Sequence, residues 1–202
     1  MTEISIHIHE DDWSMRNLYP LAALSDAVVD VEEAAKESER NRAPNGMGWS
    51  RVHLIKRSSI DYSVTGLQIA DAASALERIM PRVRKFTATA TAGFDPRVRD
   101  PLGSYDQDAY CYGFDSRCFI RLDLEKDRVN HVLDLKLDRI KHIWFQCRTR
   151  DSEKLDALRG AILAIDSLAP SVIADYWDDS TGAVGDAGFL DLYFRRLKDG
   201  AR

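Results

Sequence analysis

At 202 residues the chain is long enough for one well-buried core, or for two small lobes sharing an interface. An apolar share of 45% and a charged share of 30% describe an ordinary globular protein and exclude a fibrous or disordered chain. The net charge of −5, from 28 basic against 33 acidic side chains, disfavours a general nucleic-acid binder.

Glu3 to His9 alternates Ile4, Ile6 and Ile8 with Ser5, His7 and His9, the period-two pattern of a strand with one buried face. It stops at the acidic turn Glu10-Asp11-Asp12. From Pro20, Leu21, Leu24, Val28, Val31 and Ala35 recur at helical spacing, which predicts a helix to about Arg40 packed on that stripe. Asp26, Asp30, Glu33 and Glu37 follow the same spacing on another side, so the helix is expected to carry an acidic ridge. Asn41 to Gly48 reads as a loop and Val52 to Lys56 as a short strand. Thr65 and Gln68 form a capping-box pattern ahead of a helix that runs to Pro81, and Arg84 to Thr91 is strand-like.

Residues 93–108 carry Pro96, Pro101 and Gly103 with little hydrophobicity, the best candidate for a linker or crossing loop. The chain then divides into an N-terminal lobe, 1–92, and a C-terminal lobe, 109–202, unless 1–202 forms one continuous domain. Ala109 to Phe114, Arg117 to Leu124, Val129 to Leu137 and Lys141 to Arg148 read as a meander, the third run being open to a helical reading. Asp151 or Ser152 can cap a helix through Ile165. Val172 to Trp177 is another strand, and Asp186 can cap a last helix whose Phe189, Leu190, Tyr193 and Leu197 face inward. The order predicts an α+β protein built on a mostly antiparallel sheet.

Chemical signatures are sparse. His7 and His9 share a strand face next to Asp11 and Asp12, a spacing that could hold zinc and support a metal-dependent or carboxylate-using hydrolase. Alternation with the isoleucines makes a solvated outer face the stronger reading. Neither a nucleophile motif nor a phosphate-cradling loop is present, and no cofactor is expected. Cys111, Cys118 and Cys147 match neither a zinc knuckle nor a Cys-x-x-Cys pair, so reduced structural thiols are expected. No apolar run approaches the roughly 18 residues that a membrane span needs. Met1 to Glu10 also lacks the pattern of a secretory leader, which suits a cytoplasmic protein.

The C-terminal segment is more distinctive. Asp175, Asp178, Asp179, Asp186 and Asp191 accompany Tyr176 and Trp177, with no basic residue from Ser171 to Phe194. One reading is a polar loop between a core strand and a capped helix, with Trp177 in the core. The other is a surface on which Asp178, Asp179 and the ridge Asp26, Asp30, Glu33 and Glu37 meet a partner's Lys and Arg, with Tyr176 or Trp177 as a desolvated anchor. The segment Ile173-Ala174-Asp175-Tyr176-Trp177, the turn Asp178 to Asp186 and the helix Phe189 to Leu197, in an acidic chain, resemble the immunity proteins encoded beside bacterial polymorphic or contact-delivered toxins. The resemblance covers about thirty residues and implies stoichiometric inhibition of a basic toxin domain; a homo-oligomer is also compatible.

Overall fold

The computed structural model describes residues 4–9, 12, 14–43, 60–83, 85–89, 110–124 and 139–200. In chain order the elements are β1 (Ser5–His9), β2 (Arg16–Pro20), α1 (Leu24–Arg40), α2 (Ile69–Glu77), β3 (Lys85–Thr89), β4 (Tyr110–Asp115), β5 (Cys118–Leu124), β6 (Ile140–Cys147), α3 (Ser152–Leu168), β7 (Ser171–Asp175), β8 (Ser180–Ala183) and α4 (Ala187–Asp199). β4 to β8 and β2 make a six-stranded antiparallel sheet of order β4-β5-β6-β2-β7-β8, while β1 and β3 pair in parallel beside it. This is the expected α+β fold. The predicted runs at 52–56, 93–108 and 129–137 lie outside the described residues.

β2 is the organising strand. It comes from the N-terminal part of the chain yet lies between β6 and β7, with Leu18 opposite both Ile143 and Ile173. One sheet therefore draws on both sides of residues 93–108.

Covering both faces of the sheet produces three layers. On one face Leu18, Ile120, Ile143, Phe145 and Ile173 pack against Leu76 of α2, Leu158 and Ile162 of α3 and Leu190 of α4. On the other, Tyr19, Val172 and Ala174 meet Ala27 and Val31 of α1, while Cys111, Phe119 and Trp144 meet Ile6, Ile8 and Phe86. Successive residues of each strand thus enter different cores, as the two-residue period of a pleated strand requires. The whole of β2 and β7 is buried, so their sequences carry no polar alternation. In the second layer Phe86, Phe119 and Trp144 contact one another edge to face, with ring centroids 5.7, 6.0 and 5.3 Å apart. Such geometry adds about 0.5–1.5 kcal/mol per pair beyond burial.

The helix ends follow local chemistry. Asp151 accepts the amides of Glu153 and Lys154, Asp186 accepts that of Phe189, and Gly200 closes α4 at φ 73°. The capping box predicted at Thr65 and Gln68 does not form. Thr65 Oγ1 bonds the Tyr62 carbonyl within a preceding 3-10 turn, and Gln68 turns its side-chain amide to the Gly66 carbonyl. α1 also departs from expectation: Val28 is exposed, and Ala27, Asp30 and Val31 are the buried residues. Ala27 fits the close approach of the helix to the sheet, so the inward stripe runs through Ala27 and Val31 and is rotated away from Val28 and Val29.

Phe119→Ala removes a fully buried ring and is expected to cost about 3–5 kcal/mol in chemical denaturation. Val29→Ala, on the outer side of α1, is expected to stay within about 0.5 kcal/mol of the parent.

Candidate functional site

The β2–β7 pairing sets Arg16 directly opposite Asp175, both on the face covered by α4. Their side chains are 6% and 0% exposed, and Arg16 Nε donates to Asp175 Oδ2 at 2.8 Å. The rest of the guanidinium is also engaged: Nη2 donates to Asp178 Oδ2 at 3.0 Å and Nη1 to Gln146 Oε1 at 3.2 Å. Asp175 Oδ2 accepts the Tyr193 hydroxyl at 2.8 Å, and Oδ1 accepts the amides of Trp177 and Asp178 at 2.9 and 3.2 Å. A buried charge survives only when paired and hydrogen-bonded, and this one has both.

Burial works against the Arg16 charge, but the Asp175 and Asp178 carboxylates outweigh it and hold the guanidinium above its ordinary range. For the Asp175 carboxyl burial is the largest influence and pushes it up, opposed by Arg16 and by the Tyr193 hydroxyl. Burial and the neighbouring carboxylate raise Tyr193 well above a normal phenol. Asp175, at the centre of the cluster, is sealed from solvent. It acts as scaffolding, fixing the turn from Tyr176 to Asp179, where Asp179 takes the left-handed φ of 47°.

The predicted site residues divide in two. Tyr176 is buried in the α1 layer and donates its hydroxyl to Asp30, which is itself buried. Asp178 turns inward to Arg16 and is 11% exposed, although its place in the sequence suggested a solvated acid. Trp177 is partly buried beneath the Arg148 guanidinium, 5.5 Å from the ring centroid. Glu37 bonds Arg40 at 2.7 Å and Asn41 at 3.3 Å. Asp26, Glu33 and Asp179 are exposed. The segment predicted as a loop after Asp179 instead forms β8.

The alternative metal site is not assembled among the described residues. His7 is exposed on β1, and Asp12 is held by Arg148 through contacts of 2.6 and 3.0 Å. His9 lies at the end of β1 opposite Thr89, and Asp11 falls outside the described residues. No three His, Cys, Asp or Glu side chains meet as a ligand set among the described residues.

Two surface features adjoin each other, and the sequence had flagged only the acids of the first. The first is the outer side of α1, which packs over β7 and β8. Val28 and Val29 are 37% and 55% exposed there, beside Asp26, Glu32 and Glu33. The second is the β8 edge. At the opposite margin of the sheet, Pro81 to Val83 covers β4, with Val83 N bonded to Cys111 O at 2.8 Å and Gly113 N to Pro81 O at 2.9 Å. No described segment does this for β8. Val184 N donates to Ser171 O at 2.9 Å, so by alternation Gly182 and Ser180 face β7 while Thr181 and Ala183 turn their backbone groups outward. The Ala183 carbonyl is taken by Asp186 N at 3.1 Å, and among the described residues the Thr181 N–H and C=O and the Ala183 N–H face the edge without a backbone partner.

No protein-family model, curated protein or solved structure gives a match to this chain.

Asp175→Ala leaves the Arg16 charge buried without its main partner and is expected to cost about 3–5 kcal/mol. In a double-mutant cycle with Arg16→Met, the paired substitutions are expected to cost less than the sum of the singles, measured by denaturant midpoints.

Proposed function

We propose that this chain is a stoichiometric binding protein of the immunity type, which neutralises a cationic bacterial toxin domain in the cytoplasm by covering its substrate groove. The observation that carries the reading is the outer side of α1. Two valines stand in water among Asp26, Glu32 and Glu33, on a helix whose inward stripe already fills its contact with the sheet. β-branched residues add little to helix propensity, so their placement on the wet side is better explained by a contact made with another molecule.

Charge supports the same choice of partner. From Leu24 to Arg40 the helix carries Asp26, Asp30, Glu32, Glu33, Glu37 and Glu39 against Lys36 and Arg40. Asp30 is spent internally on Tyr176, and Lys36 and Arg40 lie near Glu32 and Glu37 on the same helix. Exposed pairs of this kind are worth little and leave the field of the face negative. An apolar centre with an acidic rim suits a basic protein surface: the rim steers encounter, and the desolvated valines slow dissociation. The neighbouring β8 edge adds backbone donors and an acceptor that an extended segment of the partner can meet. Scaffolding by Arg16, Asp175 and Asp30 holds both features in place before binding, which lowers the ordering cost of association.

The test is association with the purified product of the adjacent gene. A one-to-one complex is expected, with Asp26→Lys combined with Glu33→Lys slowing association by about tenfold or more at low salt and flattening its salt dependence. Val29→Asp is expected to accelerate dissociation without changing stability. Rates that ignore both substitutions would remove α1 from the interface.

A further inference from the structure

We infer that Cys118 and Cys147 form a reversible intramolecular disulfide on exposure to a low-molecular-weight disulfide, closing the open end of the β5–β6 hairpin. The two residues are direct partners in the β5–β6 register. Arg148 N donates to Arg117 O at 2.7 Å, which makes 117 and 148 a hydrogen-bonded pair and places Cys118 and Cys147, one step along, at a non-hydrogen-bonded pair. At such positions the Cα atoms stand about 4.5 Å apart with both side chains on one face. That separation lies within the range of about 4.4–6.8 Å that a disulfide spans. Both thiols belong to the same core, beneath α3, and both are free.

Cys111 is excluded by the fold. It sits opposite Arg121 and points into the other layer, among Phe86, Phe119 and Trp144. The odd cysteine count therefore resolves into one facing pair and a third thiol in the other core.

The electron count closes with the small disulfide as oxidant. The Cys147 thiolate attacks one of its sulfurs and expels a small thiolate, giving a mixed disulfide on Cys147. Cys118 then loses its proton to water and attacks Cys147 Sγ, expelling the second small thiolate. Two protein thiols are oxidised and one external disulfide is reduced to two thiols. Cys147 is the better first nucleophile: burial raises it to about 11, tempered by the Arg16 charge, whereas burial and the neighbouring thiol raise Cys118 to about 12. Cys147 is also 4% exposed against 0% for Cys118, whose thiol sits 3.6 Å from the Lys154 carbonyl. Low thiolate content and burial make the reaction slow and tie it to local opening at the end of β6.

Full-length protein incubated natively with excess oxidised glutathione, then denatured, alkylated and mapped by mass spectrometry, tests the assignment. The expected product has lost two hydrogens, contains a Cys118–Cys147 cross-linked peptide and keeps Cys111 alkylated; its thermal midpoint rises and returns to the starting value on reduction. Cys111→Ser should oxidise as the parent does, and Cys118→Ser should stop at a single glutathione adduct or none. Three alkylated cysteines after prolonged oxidation, a bridge through Cys111, an intermolecular bridge, or a stable adduct on Cys147 in the parent would each overturn the inference. The peptide map of the parent decides the matter even where a variant fails to fold.

Discussion

A short central strand that begins with a buried arginine needs a buried anion beside it, and the Arg16–Asp175 pair meets that need at the point where β2 enters the sheet. The two residues are separated by 159 positions in the chain, so the contact closes a very long loop. Its reach extends further through shared atoms. Asp175 holds the amides of Trp177 and Asp178, the turn so fixed places Tyr176 under α1, and the Tyr176 hydroxyl meets Asp30. One polar chain thus runs from the face under α4, around the end of β7, to the helix on the opposite face. A buried ion pair contributes little net stability compared with well-packed apolar residues, but it penalises any register that leaves either charge alone. Its value here is in specifying where β2 lies and how the turn after β7 is set.

Coverage on both faces accounts for most of what is unusual in the pattern of side chains. Antiparallel strands with one wet face alternate in polarity, whereas β2 and β7 are buried throughout and cannot. Polar groups on those strands must then find partners inside, which is why Arg16, Asn17, Ser171 and Asp175 are all bonded and nearly sealed from solvent. The acids near the C-terminus share this fate: Asp178, read from the sequence as displayed, serves the interior with Asp175, and Asp186 caps α4 as expected.

What is left for recognition is therefore narrower than the charge pattern implies. The outer side of α1 and the margin of β8 that no described segment pairs lie next to one another, one apolar and ringed by acids, the other an edge of backbone groups. The proposed immunity-type inhibition would need a surface that is ready before the partner arrives, since a mobile one would weaken the complex by the entropy of ordering. In the proposed reading the polar chain under α1 supplies that readiness by fixing Tyr176 and Asp30 beneath the helix. The facing thiols of β5 and β6 lie beside the same scaffold, with the Arg16 charge acting on Cys147.

Local sequence rules accounted for the elements whose partners are close by. The apolar period of α3, its Asp151 cap, the Asp186 cap of α4, the tight β4–β5 turn and the alternation of β1 all depend on residues within a few positions of one another, and each formed as read. β2 escaped because five residues containing Arg, Asn and Pro carry no strand signal of their own, and β8 because Ser-Thr-Gly-Ala reads as a turn until β7 lies beside it. The inward face of α1 was misjudged for the same reason: whether Ala27 or Val28 turns toward the sheet depends on how closely the helix can approach, which only the packed neighbours decide. Acidic residues were visible as a group, but a carboxylate's role is set by whatever cation or hydroxyl reaches it. For Asp30, Asp175 and Asp178 a hydroxyl or guanidinium arrives from 146, 159 and 162 positions away, so tertiary structure alone could separate the acids that hold the fold from those that stay exposed.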